Sequence, residues 1–192
     1  MPQNAVIASI LFTLALTDCT NRRFADRVVT PEWTDFSENV KNYTSLVDKL
    51  EKSLPPLPDK AEAEQIAAHK KALTDAVREA RKNAQLGEIF NPTTRERIIA
   101  ITRTEVRGPE GKAAKKTIAE DNPNKPGQAA QAPLAVNAVY PDGAPLSTVP
   151  PTLLLRLPKL PETVEYRFVG KALVLRDVRA NIVVDYVPNA LS

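Results

Sequence analysis

Nine of the chain's seventeen prolines fall between Pro123 and Pro161, and this clustering limits the fold more than any other feature. Proline locks φ and removes a backbone donor, so residues 122–162 cannot form long helices or central strands. The segment therefore reads as an extended connector dividing a helical region, residues 24–121, from a short β-rich end, residues 163–188. Two apolar pieces inside it, Leu134–Asn137 and Leu153–Leu157, are suited to packing or to adding an edge strand. The expectation is a connector that clings to the body.

In the helical region, Thr30-Pro31-Glu32 has the chemistry of a helix start. Trp33, Phe36, Val40, Tyr43, Val47, Leu50 and Leu54 then recur at steps of three and four, forming one apolar stripe. A second helix, begun by a capping box at Asp59 to Glu62, runs toward Leu86 with Gly87 beyond its end. Its inward residues are expected to be Ile66, Leu73, Val77, Ala80 and Ala84. His69, the only histidine, borders that face as a packing residue. Asn91-Pro92 opens a third helix, and Arg107-Gly108-Pro109 separates it from a fourth around Gly111–Ala119.

From Val164 onward the period becomes two. Val164–Val169 and Ala172–Asp177 flank Gly170-Lys171, which suits a two-residue hairpin turn with glycine first. Counting outward from the turn pairs Val169 with Ala172, Phe168 with Leu173, Arg167 with Val174, Tyr166 with Leu175 and Glu165 with Arg176. Tyr166, Phe168, Leu173 and Leu175 then share an apolar face, and the other face carries Arg167 and a Glu165–Arg176 ion pair. Asn181–Val187 supplies a third strand. Three strands are too few to stand alone, so the meander must pack on the helices. The predicted fold class is α+β: a bundle of three or four helices, a proline-rich connector and a small antiparallel β-meander in one unit.

The run Tyr166–Ala190, YRFVGKALVLRDVRANIVVDYVPNA, resembles the C-terminal strand-turn-strand segment of uncharacterised exported bacterial proteins. These proteins pair a helical N-terminal half with a terminal β-meander. The resemblance implies a cell-envelope or secreted location and brings no catalytic residues with it.

The first nineteen residues support the same location independently. Ala5–Thr17 is thirteen residues without a charge, too short to span a bilayer and of the length of a secretory signal core. No basic residue precedes it, and Ala15-Leu16-Thr17 is its best cleavage sequence. Leu16–Cys19 loosely resembles the bacterial lipobox, with Asp18 where that motif takes a small residue, so lipid anchoring through Cys19 is an alternative. An N-terminal helix that stays on the protein is another. The expected location is periplasmic or secreted.

Composition excludes several chemistries. One Cys and one His supply neither a disulfide nor the ligand set of a zinc hydrolase, and nothing in the chain asks for a metal or another cofactor. Between Pro92 and Lys116 seven basic residues face three acidic ones. Arg95, Arg103, Arg107, Lys112, Lys115 and Lys116 are therefore candidates for docking on an anionic envelope lipid, polymer or protein. The alternative is a solvated helix face. No aromatic residues for stacking on bases accompany them, and export removes nucleic acid as a partner. Arg167, Arg176, Asp177, Asn181 and Asp185 are expected on a polar sheet face that completes the binding surface. A competing reading makes Asp177 and Asp185 the acid/base pair of a hydrolase, although no nucleophile or phosphate loop accompanies them.

Overall fold

The computed structural model describes residues 33–192; the apolar run with Cys19 and the Thr30–Glu32 helix start lie outside them. The fold is α+β. Helices α1 (Thr34–Ser53), α2 (Ala63–Ala80), α3 (Pro92–Arg107), α4 (Gly111–Glu120) and α5 (Pro151–Leu154) precede strands β1 (Val164–Val169), β2 (Ala172–Asp177) and β3 (Ile182–Val187). The strands form one antiparallel sheet in the order β1-β2-β3.

The stripe of α1 is the centre of the core. Trp33, Phe36, Val40, Tyr43 and Val47 are buried, and Leu50 and Leu54 pack at the margin. Phe36 stacks on Phe90 at 5.4 Å and on Tyr166 of β1 at 6.4 Å, so one ring joins α1, the segment before α3 and the sheet. Burying a side chain of this size stabilises the fold by about 2 kcal/mol. Leu73 and Val77 of α2, Ile98 and Val106 of α3 and Ile118 of α4 meet Phe168, Leu173, Leu175, Ile182 and Val184 in the same cluster. Helices and sheet thus share one hydrophobic interior.

Helix α2 departs from expectation at both ends. Gln65 accepts a hydrogen bond from the Glu62 amide, so the helix begins at Ala63 and not at Asp59. Ile66 is 51% exposed, Ala80 is exposed and Ala84 and His69 are half-buried; of the five expected inward residues only Leu73 and Val77 are buried. The helix stops at Ala80, six residues before Leu86. There the Asn137 side chain donates to the carbonyls of Arg78 and Arg81, satisfying the helix end from the connector.

Helix α3 begins as its sequence indicates, with the Asn91 side chain accepting from the Thr94 amide. After Gly108-Pro109 the chain turns back tightly. A Cβ at Gly111 would sit 2.4 Å from the Val106 carbonyl oxygen, so glycine is what lets α4 start against the end of α3.

The β1/β2 register is Val169↔Ala172, Phe168↔Leu173, Arg167↔Val174, Tyr166↔Leu175 and Glu165↔Arg176, pair for pair as the turn predicts. Gly170 has φ of 60°, as the first position of a type II′ turn requires. Arg176 reaches Glu165 at 2.6 Å, and Arg167 pairs with the same carboxylate.

The second sheet face is not the solvated polar face expected of a meander. Val169, Val174 and Val183 pack there beneath Ala132 and Tyr140 of the connector. The connector also closes both sheet edges. Along β3, the Asn137 and Tyr140 amides donate to the Val183 and Asn181 carbonyls, and Val183 donates to Ala138. Along β1, Ser147 Oγ accepts from the Phe168 amide and donates to its carbonyl. The main-chain groups paired in this way are not free to recruit another strand. Of the two apolar pieces, Leu134–Asn137 leads into this edge pairing, whereas Leu153–Leu157 forms the short helix α5 and its following turn instead of a strand.

Candidate binding site

Asp177 and Asp185 were expected on an exposed polar face, and both are fully buried against the helices. For Asp177 the reason is strand parity, since it follows Leu173 and Leu175 on the core side. Its Oδ2 accepts a 2.7 Å hydrogen bond from the Tyr43 hydroxyl, and its Oδ1 accepts from the Ala180 amide at 2.8 Å. Burial, then the neighbouring Asp177 charge, pushes the Tyr43 phenol far above its ordinary range. Tyr43 therefore stays a neutral donor.

For Asp185 the reason is a β-bulge. The register slips between Leu175 and Arg176, so that Leu175 opposes Asp185 while Arg176 opposes Val183. Strict alternation from buried Ile182 would turn Asp185 outward; the extra residue turns it inward, beside Leu175. Its carboxylate accepts hydrogen bonds from the amides of Gly87, Ile89, Phe90 and Tyr186. In this geometry both aspartates are buried acceptors that hold α1 and the α2–α3 segment on the sheet.

Asn181, also expected at the surface, is buried. It has φ of 52°, accepts from Arg176 at 2.6 Å and donates to the Tyr140 carbonyl at 2.8 Å. Arg176 lies over the Tyr140 ring at 5.2 Å. Arg167 donates to the Ser147 carbonyl. Both arginines share Glu165. Burial raises the Glu165 pKa, but the hydrogen bonds and charges of Arg167 and Arg176 outweigh this and hold its carboxyl below its ordinary value. These polar residues thus lash the connector to the sheet, and the predicted polar face is an interior seam.

The six basic candidates of α3 and α4 separate into different surroundings. Arg95 is half-buried, with its guanidinium against Gly87. Arg103 donates to the main-chain oxygen of Ser192. Arg107, Lys112, Lys115 and Lys116 are exposed. Of these, Lys115 borders a groove of about 440 Å³ between α4, the start of the connector and the β1/β2 turn.

The groove is built from the end of α3, α4, the start of the connector, the β1/β2 turn and Leu191. Val106, Ile118, Ala119 and Leu191 supply its apolar surface, and Pro126 closes one side. Lys115 of α4, Lys125 of the connector and Lys171 of the hairpin turn stand around it, and among the described residues no carboxylate lines it. Its two asparagines are engaged with backbone. Asn122 pairs with both polar atoms of the Gly170 main chain, and Asn124 accepts from the Gln131 and Ala132 amides while donating to the Ala132 carbonyl. Apolar surface and ammonium groups are what remain to meet a ligand.

Sequence reasoning named Lys115 and missed Lys125 and Lys171. Each is an ordinary surface lysine in its own segment. Only the Asn122–Gly170 contact, which docks the connector on the hairpin turn, brings them together.

Among the described residues no helix is long and apolar enough to cross a membrane. Among the same residues no group of three or more His, Cys, Asp or Glu is placed to hold a metal ion. Compared with family models, curated proteins and solved structures, the chain matches none.

Proposed function

We propose that the protein is an exported, non-enzymatic module of the bacterial cell envelope that docks on an anionic lipid surface. The observation that carries this reading is the concentration of cations, with exposed Lys112 and Lys116 on α4 and with Lys115, half-buried Lys125 and Lys171 lining an apolar groove in which no carboxylate stands among the described residues. Lysine ammonium groups are compact point charges suited to phosphate oxygens, and cations near an anionic membrane surface contribute about 1 kcal/mol each. The apolar run Ala5–Thr17 supports export, with Cys19 as the alternative route to lipid anchoring. The use of Asp177 and Asp185 as buried acceptors supports a structural role for those carboxylates.

Co-sedimentation with vesicles tests the proposal. Vesicles containing phosphatidylglycerol should carry the protein down, and pure phosphatidylcholine vesicles should not. Binding should weaken as salt rises from about 0.05 to 0.5 M, because screening shortens the reach of surface charge. The combined variant R107E/K112E/K115E/K116E should lower partitioning by roughly three orders of magnitude, given about 1 kcal/mol per cation. Equal partitioning of the variant and the parent protein would sink the docking role.

A further inference from the structure

We infer that the groove between α4, the connector and the β1/β2 turn binds one single-chain lipid that bears a phosphate headgroup. This rests on the envelope-docking reading and deepens it, from attraction to a surface to extraction or capture of one amphiphile.

The groove gathers more cations without an ion pair than two other concave surfaces among the described residues, which have one each, Lys159 beside Tyr166 and Arg78 along α2. Beside Tyr166 and Leu160, the charged groups Glu165 and Arg167 are paired with each other. Along α2, Lys70 pairs with Asp142 and Lys71 with Asp75. Around the groove, Lys115 and Lys171 make no ion pair among the described residues, and Lys125 spends one proton on the Glu120 carbonyl at 2.6 Å. Three cations therefore face a cavity that no Asp or Glu side chain lines among the described residues.

The ligand chemistry follows from the two kinds of surface. Val106, Ile118, Ala119 and Leu191 offer apolar area to a hydrocarbon tail, which gains by leaving water. A volume of about 440 Å³ lies in the range of small-molecule sites and suits one chain. A phosphate monoester carries between one and two negative charges near neutral pH, a closer match to three lysines than the single charge of a carboxylate. Because both asparagine carbonyl oxygens and one N–H of each amide are already bonded to backbone, sugar or peptide groups find few polar partners here. The groove's walls belong to separate chain segments, so its shape depends on Asn122 holding Gly170 at 2.8 Å.

The test is a titration with dodecyl phosphate below its micelle concentration, following the amide resonances of Ala119, Lys171 and Leu191. One saturable site is expected, at least tenfold tighter than for dodecyl maltoside, with no saturation by inorganic phosphate alone. Ala119→Trp, which fills the groove from an exposed helix position, should weaken binding tenfold or more. Should that variant lose thermal stability, Lys171→Glu at the turn carries the test and should weaken binding several-fold. Equal affinity for the maltoside, unchanged binding by both variants, or saturable shifts mapping elsewhere would overturn the site. Dodecanoate binding as tightly as dodecyl phosphate would overturn the phosphate assignment. Saturable dodecyl phosphate binding without vesicle association supports the groove and sinks surface docking, whereas vesicle association without dodecyl phosphate saturation does the reverse.

Discussion

The Tyr43 hydroxyl of α1 donates a 2.7 Å hydrogen bond to the carboxylate of Asp177 at the end of β2, 134 residues away in the chain. Both groups are buried, so the bond joins the first described helix to the sheet where neither partner has water as a substitute. Arg81 lies 5.1 Å over the same Tyr43 ring and donates to the Val184 carbonyl, which gathers α1, α2 and β3 at one point.

Tyr43→Phe should therefore cost more than the loss of one hydroxyl suggests. It leaves a buried carboxylate oxygen without its donor, a loss of about 1–3 kcal/mol. For a chain of this size that lowers the thermal midpoint by roughly 2–12 °C. A calorimetric midpoint within 1 °C of the parent would show that water replaces the phenol.

Asp185→Ala removes the acceptor for four backbone amides. Three of them, Gly87, Ile89 and Phe90, lie between α2 and α3. Several unpaired buried donors cost well over about 3 kcal/mol together, so local opening should precede global unfolding. Hydrogen exchange at Ile89 and Phe90 should accelerate roughly a hundredfold or more, with Asp185→Asn intermediate. Unchanged exchange would mean that the segment is held by Phe90 packing alone.

The hairpin turn makes a sharper steric prediction. A Cβ at Gly170 has ordinary contact distance to Asn124, so the cost of Gly170→Val comes from φ of 60°, about 1–2 kcal/mol for an L-residue in the left-handed region. Gly170→Asn should cost less, because Asn tolerates that region. If thermal melts rank Val and Asn equally, backbone strain is not the determinant.

Glu165 predicts a pH dependence. Its carboxyl is held below its ordinary value by Arg167 and Arg176 against the opposing effect of burial. A depressed carboxylate pKa contributes stability that is present above the unfolded-state value, about 4.3, and lost as pH falls through the folded-state value. Glu165→Gln should thus be less stable than the parent by about 1–2 kcal/mol at pH 7, and the gap should close below about pH 4. A gap constant from pH 7 to 2.5 in urea unfolding would assign the loss to packing.

The hairpin was legible residue by residue because its determinants are local. Gly170-Lys171 sets the turn, and period two carries the register outward from it. The stripe from Trp33 to Val47 was legible for the same reason, with 3.6-residue spacing marking one face. Ile66 was misplaced because periodicity identifies a face without saying whether anything covers it, and the first half of α2 extends past its partners. Asp177 carried a usable signal, the parity shared with Leu173 and Leu175, which its charge obscured. Asp185 carried none, because a bulge arises between paired strands and leaves no mark on alternation within one.

Sequence alone determined the four longer helices and three strands, their order, the hairpin register and the necessity that a three-stranded sheet lie on helices, since turn chemistry and periodicity act within a few residues. Tertiary structure alone decided that residues 122–162 cover the second sheet face and both edges. It also decided that Asp177, Asn181 and Asp185 lie inside, and that Lys115, Lys125 and Lys171 surround one groove. Each of those outcomes depends on contacts between segments tens of residues apart, formed where buried polar groups must find partners. Proline spacing kept the connector out of helices and long strands, but only the sheet's unsatisfied edges and apolar outer face determined where it came to rest.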